Sequence, residues 1–106
     1  MKNTLKRKED FDLVFKQGKK LVSRSVVMLY TKSQEKKVGF CVSKKHGKAV
    51  ARNKIKRLLR AAWQEYSCQV GNFYIVFLPK VYQEYKLETF KADIKYLLLK
   101  EKLISE

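Results

Sequence analysis

The chain is 106 residues long and strongly basic, with 25 Lys and Arg against 10 Asp and Glu and a formal net charge of +15. This length suits one hydrophobic core, and 45% hydrophobic residues with four Gly and one Pro argue against a disordered tail. The charge predicts a polyanionic partner. We expect the partner to be nucleic acid rather than a membrane, because no apolar run nears the roughly 20 residues of a spanning helix. We also expect the protein to be in the cytoplasm, because the N-terminus lacks the apolar stretch of a secretory signal.

The first half of the chain predicts one helix and then strands. Phe11, Val14 and Phe15 recur at helical spacing between Lys8 and Lys16, and Gly18 ends this helix. Two β-branched, apolar runs follow, Ser25–Tyr30 and Val38–Ser43, joined by a polar turn. We expect these two strands to form an antiparallel pair, with a short extra strand near Leu21.

The second half predicts a helix, a strand and a last helix. From about Ala51 to Tyr66 one side is apolar and the other cationic. The predicted inner side is Ala51, Ile55, Leu58, Leu59, Ala62 and Tyr66, and the outer side is Asn53, Lys56, Arg57, Arg60 and Gln64. Phe73–Leu78 is typical of an interior strand. An apolar stripe containing Leu87, Phe90, Ile94, Leu97, Leu98 and Leu103 or Ile104 predicts a helix from about Gln83 to Lys102.

The element order is therefore about αβββαβα. It predicts an α+β fold, a single domain over residues 1–106 built as an α/β sandwich, in which helices pack on a central sheet.

The positive charge is concentrated rather than spread. Between Glu35 and Glu65 the chain has no acidic residue but ten Lys and Arg. Like charges four residues apart on a helix, such as Lys56 and Arg60, repel each other, so a helix that keeps them is expected to meet an external anion. The alternative is a solvated basic face, but solvated faces normally mix both signs of charge.

The reactive side chains are few. Cys41 and Cys68 form no CxxC pair, and we expect two buried, free thiols. The single His, His46, lies in a Lys-rich turn and is expected to be solvated. The carboxylates are scattered, and no spacing predicts a metal cluster or a general acid/base pair. We therefore predict no catalytic residue, no metal ligand and no cofactor bound by the protein itself.

Two segments carry a family resemblance. The run SKKHGKAVARNKIKRLLRAAW, Ser43–Trp63, resembles the signature of the protein subunit of bacterial ribonuclease P: a strand ending in SKK, a GKAV-like turn, and a helix opening with Arg-Asn, followed by Lys-Arg and a further Arg. The run LKRKEDFDLVFKQGKK, Leu5–Lys20, resembles the opening helix of the family. After about Pro79 the resemblance fades to pattern and length.

The resemblance implies a ribonucleoprotein that removes the 5′ leader from precursor tRNA. The expected partners are the ribonuclease P RNA subunit, which performs the hydrolysis with Mg²⁺, and precursor tRNA; no obligate protein partner is expected. It also implies an unusual left-handed crossover between two parallel strands, against the general right-handed rule.

The resemblance further implies two surfaces. One would bind the catalytic RNA and consists of Lys44, Lys45, Lys48, Arg52, Asn53, Lys56, Arg57 and Arg60, whose side chains suit phosphates, base edges and 2′-hydroxyls. The other is a cleft between the first helix and the sheet for the unpaired leader, with Phe11 and Phe15 for base stacking. Tyr30 and Tyr74 are candidate additions, although period-2 alternation does not tell which face each occupies. Without the resemblance, Phe11 and Phe15 would be assigned to core packing.

Two other functions remain open. A non-catalytic RNA-binding module, such as a ribosomal protein, would share the charge, size and element order. A protein nuclease would need carboxylate ligands that the spacing does not reveal. Pre-tRNA cleavage assays, with the RNA subunit and with the protein alone, discriminate between these functions.

Overall fold

A computed structural model describes residues 4–81 and 84–105. The elements are α1 (Lys8–Gln17), β1 (Lys19–Val22), β2 (Val26–Lys32), β3 (Lys37–Phe40), α2 (Ala49–Gln64), β4 (Phe73–Pro79) and α3 (Leu87–Lys100), with 3-10 turns at Lys44–His46 and Ser67–Gln69. The α+β class and the order αβββαβα are confirmed. The last helix begins later than predicted, at Leu87, and the predicted start at Gln83 lies outside the described residues.

The sheet order β1-β2-β4-β3 differs from the predicted hairpin of β2 and β3. β4 pairs antiparallel with β2 and parallel with β3, so it lies between them. β2 and β3 do run in opposite directions, but they share no ladder. The predicted antiparallel pair is therefore wrong: β4 is apolar on both faces and takes an interior position between β2 and β3, where both faces are covered.

Helices cover both faces of the sheet. On one face α2 and α3 enclose the larger core, which includes Met28, Ile75 and Phe77. On the other face α1 packs over a smaller cluster, which includes Leu29 and Val76. We call this second face the cleft face. The crossover from β3 to the parallel β4 runs through α2, and its left hand stays a prediction.

Polar contacts tie α3 and the residue that follows it to the sheet. The Tyr30 hydroxyl donates to Glu101 Oε1 at 2.6 Å, and Lys19 Nζ lies 2.8 Å from the same oxygen. At the start of β2, the backbone N–H and hydroxyl of Ser25 both donate to Asp93, which is buried.

Among the described residues, no helix is long and apolar enough to cross a membrane.

Candidate nucleic-acid interface

The turn between β3 and α2 exposes three of the predicted RNA-binding lysines to solvent. Ser43 caps the turn: its hydroxyl accepts from the Lys45 N–H at 3.3 Å. Gly47 has a φ of 112°, a conformation that side chains disfavour, and it redirects the chain into α2. Lys44, Lys45 and Lys48 consequently emerge exposed on a turn with a defined backbone.

His46 is not solvated as predicted. Its Nε2 lies 2.8 Å from the Pro79 carbonyl oxygen, and its Nδ1 accepts from the Ser43 N–H at 3.1 Å. Because a carbonyl oxygen can only accept, Nε2 is the donor in its contact with Pro79. The half-buried ring also lies near Tyr85, with ring centroids 6.3 Å apart. His46 therefore fastens the basic turn to the end of β4.

α2 divides into the two predicted sides, with one exception. Its buried residues are Ile55, Leu59, Ala62 and Trp63. Ala51 was predicted to face inward but is exposed, because the core contacts of the helix begin only at Ile55, one turn further on. Asn53 and Arg57 are exposed on the outer side.

Arg60, on the outer side of α2, contacts β3, which is one of the two edge strands of the sheet. The Arg60 guanidinium carbon is 5.9 Å from the centre of the Phe40 ring, within cation–π range. Lys56 is close enough to Cys41 to oppose the rise in the pKa of that thiol, which is caused mainly by burial. Arg52 buries its Nε, which has no hydrogen-bond partner in the described part of the chain.

We call the eight predicted residues together the basic surface. They are Lys44, Lys45, Lys48, Arg52, Asn53, Lys56, Arg57 and Arg60. Across residues 4–81 and 84–105, the ion pairs involve other cations: Arg7, Lys19, Arg24, Lys37 and Lys91. The cations of the basic surface thus keep their charge unneutralised by carboxylates of the described chain, which favours an external anion.

The two phenylalanines of α1 lie in different environments on the cleft side. Phe11 is half-buried over Gly39 of β3, where an added Cβ would lie 2.6 Å from its Cε1 atom. Phe15, one turn later, is 45% exposed. Core packing thus accounts for much of Phe11, whereas just under half of the Phe15 surface is open to a ligand.

The two tyrosines lie on opposite faces of the sheet. Thr31 is the register partner of Tyr74, and Tyr30 is the partner of Ile75, so the two rings cannot share a face. Tyr74 lies on the cleft face, buried, and its hydroxyl donates to Glu35 at 3.2 Å. Tyr30 packs on the α2 and α3 side, so its predicted place in the cleft is wrong.

Ionisation of either tyrosine is suppressed. Burial, with the hydrogen bond to Glu101, raises the pKa of Tyr30 to about 12. Burial, together with the nearby carboxylates of Asp10 and Glu35, also raises the pKa of Tyr74. Both phenols therefore remain neutral donors at physiological pH.

Sequence reasoning missed other residues of the cleft face. α1 leaves Val27, Cys41 and Leu78 on this face only half-buried. Cys41 also feels the charge of the basic surface, since Lys56 opposes the rise in the pKa of its thiol. The signal was available in part: Gly39 on β3 and Cys41 directly after it are two residues apart and share a face, but the pairing of β3 with β4 decides which face that is.

The cysteines are both free, as predicted, but not both buried. Cys41 is half-buried, whereas Cys68 is exposed in the 3-10 turn after α2. The prediction of burial is therefore wrong for Cys68, because that turn lies outside the core. In the described residues, no three His, Cys, Asp or Glu side chains gather in a way that could hold a metal ion.

Comparison with known proteins identifies the family. A model of the family described as Ribonuclease P matches residues 1–102. The ribonuclease P protein component of Bacillus velezensis is 39% identical over 107 aligned positions, covering 96% of this chain and 91% of that protein. That of Nitratiruptor is 41% identical over 80 positions, covering 74% of this chain and 73% of that protein.

Solved structures agree. The RNase P protein from Thermotoga maritima superimposes with a TM-score of 0.81 at 30% identity, over 92% of this chain and 96% of that one. The Staphylococcus aureus RNase P protein, at 23% identity, shares the fold with a TM-score of 0.86 over 97% and 98% of the two chains. The chain therefore belongs to the ribonuclease P protein family.

Proposed function

We propose that this chain is the protein subunit that helps a catalytic RNA to remove the 5′ leader from precursor tRNA. The observation that carries the proposal is the basic surface, whose cations have no carboxylate partner in the described chain. Such a surface fits a structured RNA, because releasing condensed counterions from phosphates drives binding.

The basic surface would bind the RNA subunit. Arg52, Arg57 and Arg60 offer planar forks that match phosphates, and the three turn lysines offer mobile point charges. Asn53 is exposed and can donate to and accept from a base edge or a 2′-hydroxyl. Because the turn is fastened by His46, little ordering is required of its backbone on binding.

The cleft face would bind the leader. Phe15 presents an open ring, and base stacking on aromatic rings tolerates any sequence. Phe11 packs over Gly39 and would form the floor rather than a free stacking platform. Tyr74 is buried and bonded to Glu35, so it would support the cleft from below.

The hydrolytic step would belong to the RNA subunit with its Mg²⁺ ions. The described residues bring no three potential ligand side chains together, and the lone His is committed to a structural contact, which supports this division. The protein's part would be to hold the RNA and the leader in register, which is catalysis by positioning.

Cleavage of precursor tRNA tests the proposal. The RNA subunit is assayed at low Mg²⁺ with and without this chain, and the chain should increase the rate or the substrate affinity. No gain would favour a non-catalytic RNA-binding module. Cleavage by the purified protein alone, after destruction of contaminating RNA, would instead indicate a protein nuclease.

A further inference from the structure

A pocket lies between the edge strand β3 and the outer side of α2, apart from the cleft face. It has a volume of about 280 Å³ and is lined by Lys36, Phe40, Arg60, Gln64 and Cys68, among others. Among the lining residues that the structure describes, none carries a carboxylate. The cavity therefore combines an aromatic wall with two cations.

The aromatic wall is backed by the core. Phe40 stacks on Phe77, with ring centroids 6.1 Å apart and planes at 15°. The Arg60 guanidinium then lies over Phe40. This layering restrains Arg60, which is half-buried, and a restrained guanidinium is a platform on which an RNA base can stack.

The second cation is held in place by backbone atoms. Lys36 Nζ donates to the carbonyl oxygens of Ser67 and Val70 at 2.6 and 3.1 Å. These acceptors orient the ammonium group without neutralising its charge, and the group keeps a third proton to donate. The exposed Gln64 amide adds a donor and an acceptor at the rim.

We propose that this pocket accepts one unstacked nucleotide of the RNA subunit. The base would lie against Arg60, with its edge toward Gln64, and a phosphate would meet Lys36. The inference rests on the proposed function, because Arg60 belongs to the basic surface. It adds a discrete base-binding site to what would otherwise be contacts with phosphates along a helix.

Cys68 provides a probe of the pocket, because this exposed thiol lines it. The rate of its alkylation by N-ethylmaleimide is measured by peptide mass spectrometry, for the free protein and for its complex with the RNA subunit. A filled pocket should slow the reaction by about fivefold to a hundredfold, the factor that corresponds to stacking of one base. A thiol introduced at exposed Ala92 on α3 (Ala92→Cys) should react equally fast in both states.

Heparin separates insertion of a base from coverage by a polyanion. It neutralises cations but has no bases, so at saturation it should leave the Cys68 rate nearly unchanged. Equal protection by heparin and RNA would overturn the proposal. So would an unprotected Cys68 in a complex that demonstrably forms, and that outcome leaves the proposed function intact. Failure of the RNA to bind at all would instead overturn the proposed function, and this inference with it.

The variant Arg60→Lys gives an independent test. It keeps the charge but loses the planar group, so the salt dependence of RNA binding should stay the same while affinity falls by about fivefold or more. Full affinity in this variant, with its fold verified by circular dichroism, would contradict the proposal.

Discussion

At the scale of the single residue, burial separates the two roles that sequence left open for the phenylalanines. Phe11 packs over Gly39, whereas Phe15 keeps 45% of its surface exposed. We predict that Phe15→Ala weakens binding of precursor tRNA by about 1 to 3 kcal/mol, the contribution of one stacked base. Binding of mature tRNA and assembly with the RNA subunit should hardly change. Equal losses for both tRNAs in a binding titration would refute a contact with the leader.

We predict that the ionisation of Glu101 makes the stability of the fold depend on pH. Hydrogen bonds from Lys19 and Tyr30 lower the pKa of its carboxyl group below the ordinary 4.5. Because the pKa is lower in the folded state, ionised Glu101 stabilises the fold at pH values above the pKa of the unfolded state. This contribution is lost as the pH falls through the pKa of the folded state.

The measurement compares Glu101→Gln with the parent chain by urea unfolding between pH 3 and pH 7. The difference in unfolding free energy should be constant near neutrality and should shrink in acid. A difference that is the same at all pH values would show that the contacts do not depend on charge.

At the scale of the element, α2 acts as the cationic face of the molecule. Removing one phosphate contact lowers the slope of log affinity against log salt by about one. We predict that slope change for Arg57→Ala, together with weaker assembly with the RNA subunit. Lys95→Ala on the exposed side of α3 is the matched control and should leave the slope as it is. An unchanged slope in the α2 variant would argue against direct contact.

The packing of α1 on β3 gives a second prediction for an element. In Gly39→Ala, the new Cβ would lie 2.6 and 2.8 Å from ring atoms of Phe11, so the helix or the ring must shift. Overpacking of this kind costs about 1 to 3 kcal/mol of stability. In a Phe11→Ala background the same change should cost much less. A double-mutant cycle measured by chemical denaturation checks this, and additive effects would contradict the contact.

At the scale of the whole molecule, the charge of the basic surface reaches the cleft face, because Lys56 opposes the rise in the pKa of the half-buried Cys41 thiol. The proposed function would use this arrangement to hold the catalytic RNA and the leader side by side. The arrangement depends on the pairing of β3 with β4, because α2 follows β3 in the chain and its position depends on where β3 lies.

Metal removal gives a prediction at this largest scale. We expect EDTA to leave the thermal unfolding of the isolated protein unchanged and to stop cleavage by the complex, because the Mg²⁺ ions would belong to the RNA. A clear fall in melting temperature of the protein alone would reveal a metal site within the chain.

The sequence alone determined the element order, the cationic side of α2 and the positions of the apolar stripes. These are local properties, since each depends on the 3.6 or 2.0 residue period of one segment. The family signature in Ser43–Trp63 also needs no tertiary information. The placement of Phe11 and Phe15 on one helix likewise follows from spacing, whereas the role of the turn lysines rested on the family resemblance.

Only the tertiary structure decided which strands pair and which face each side chain occupies. The place of β4 between β2 and β3 put Tyr74 on the cleft face and Tyr30 on the other. The tertiary packing also brought Pro79 to His46 and Arg60 to Phe40. Such contacts join residues far apart in the chain, and no local period encodes them, because the choice among pairings depends on burying the most apolar strand on both of its faces.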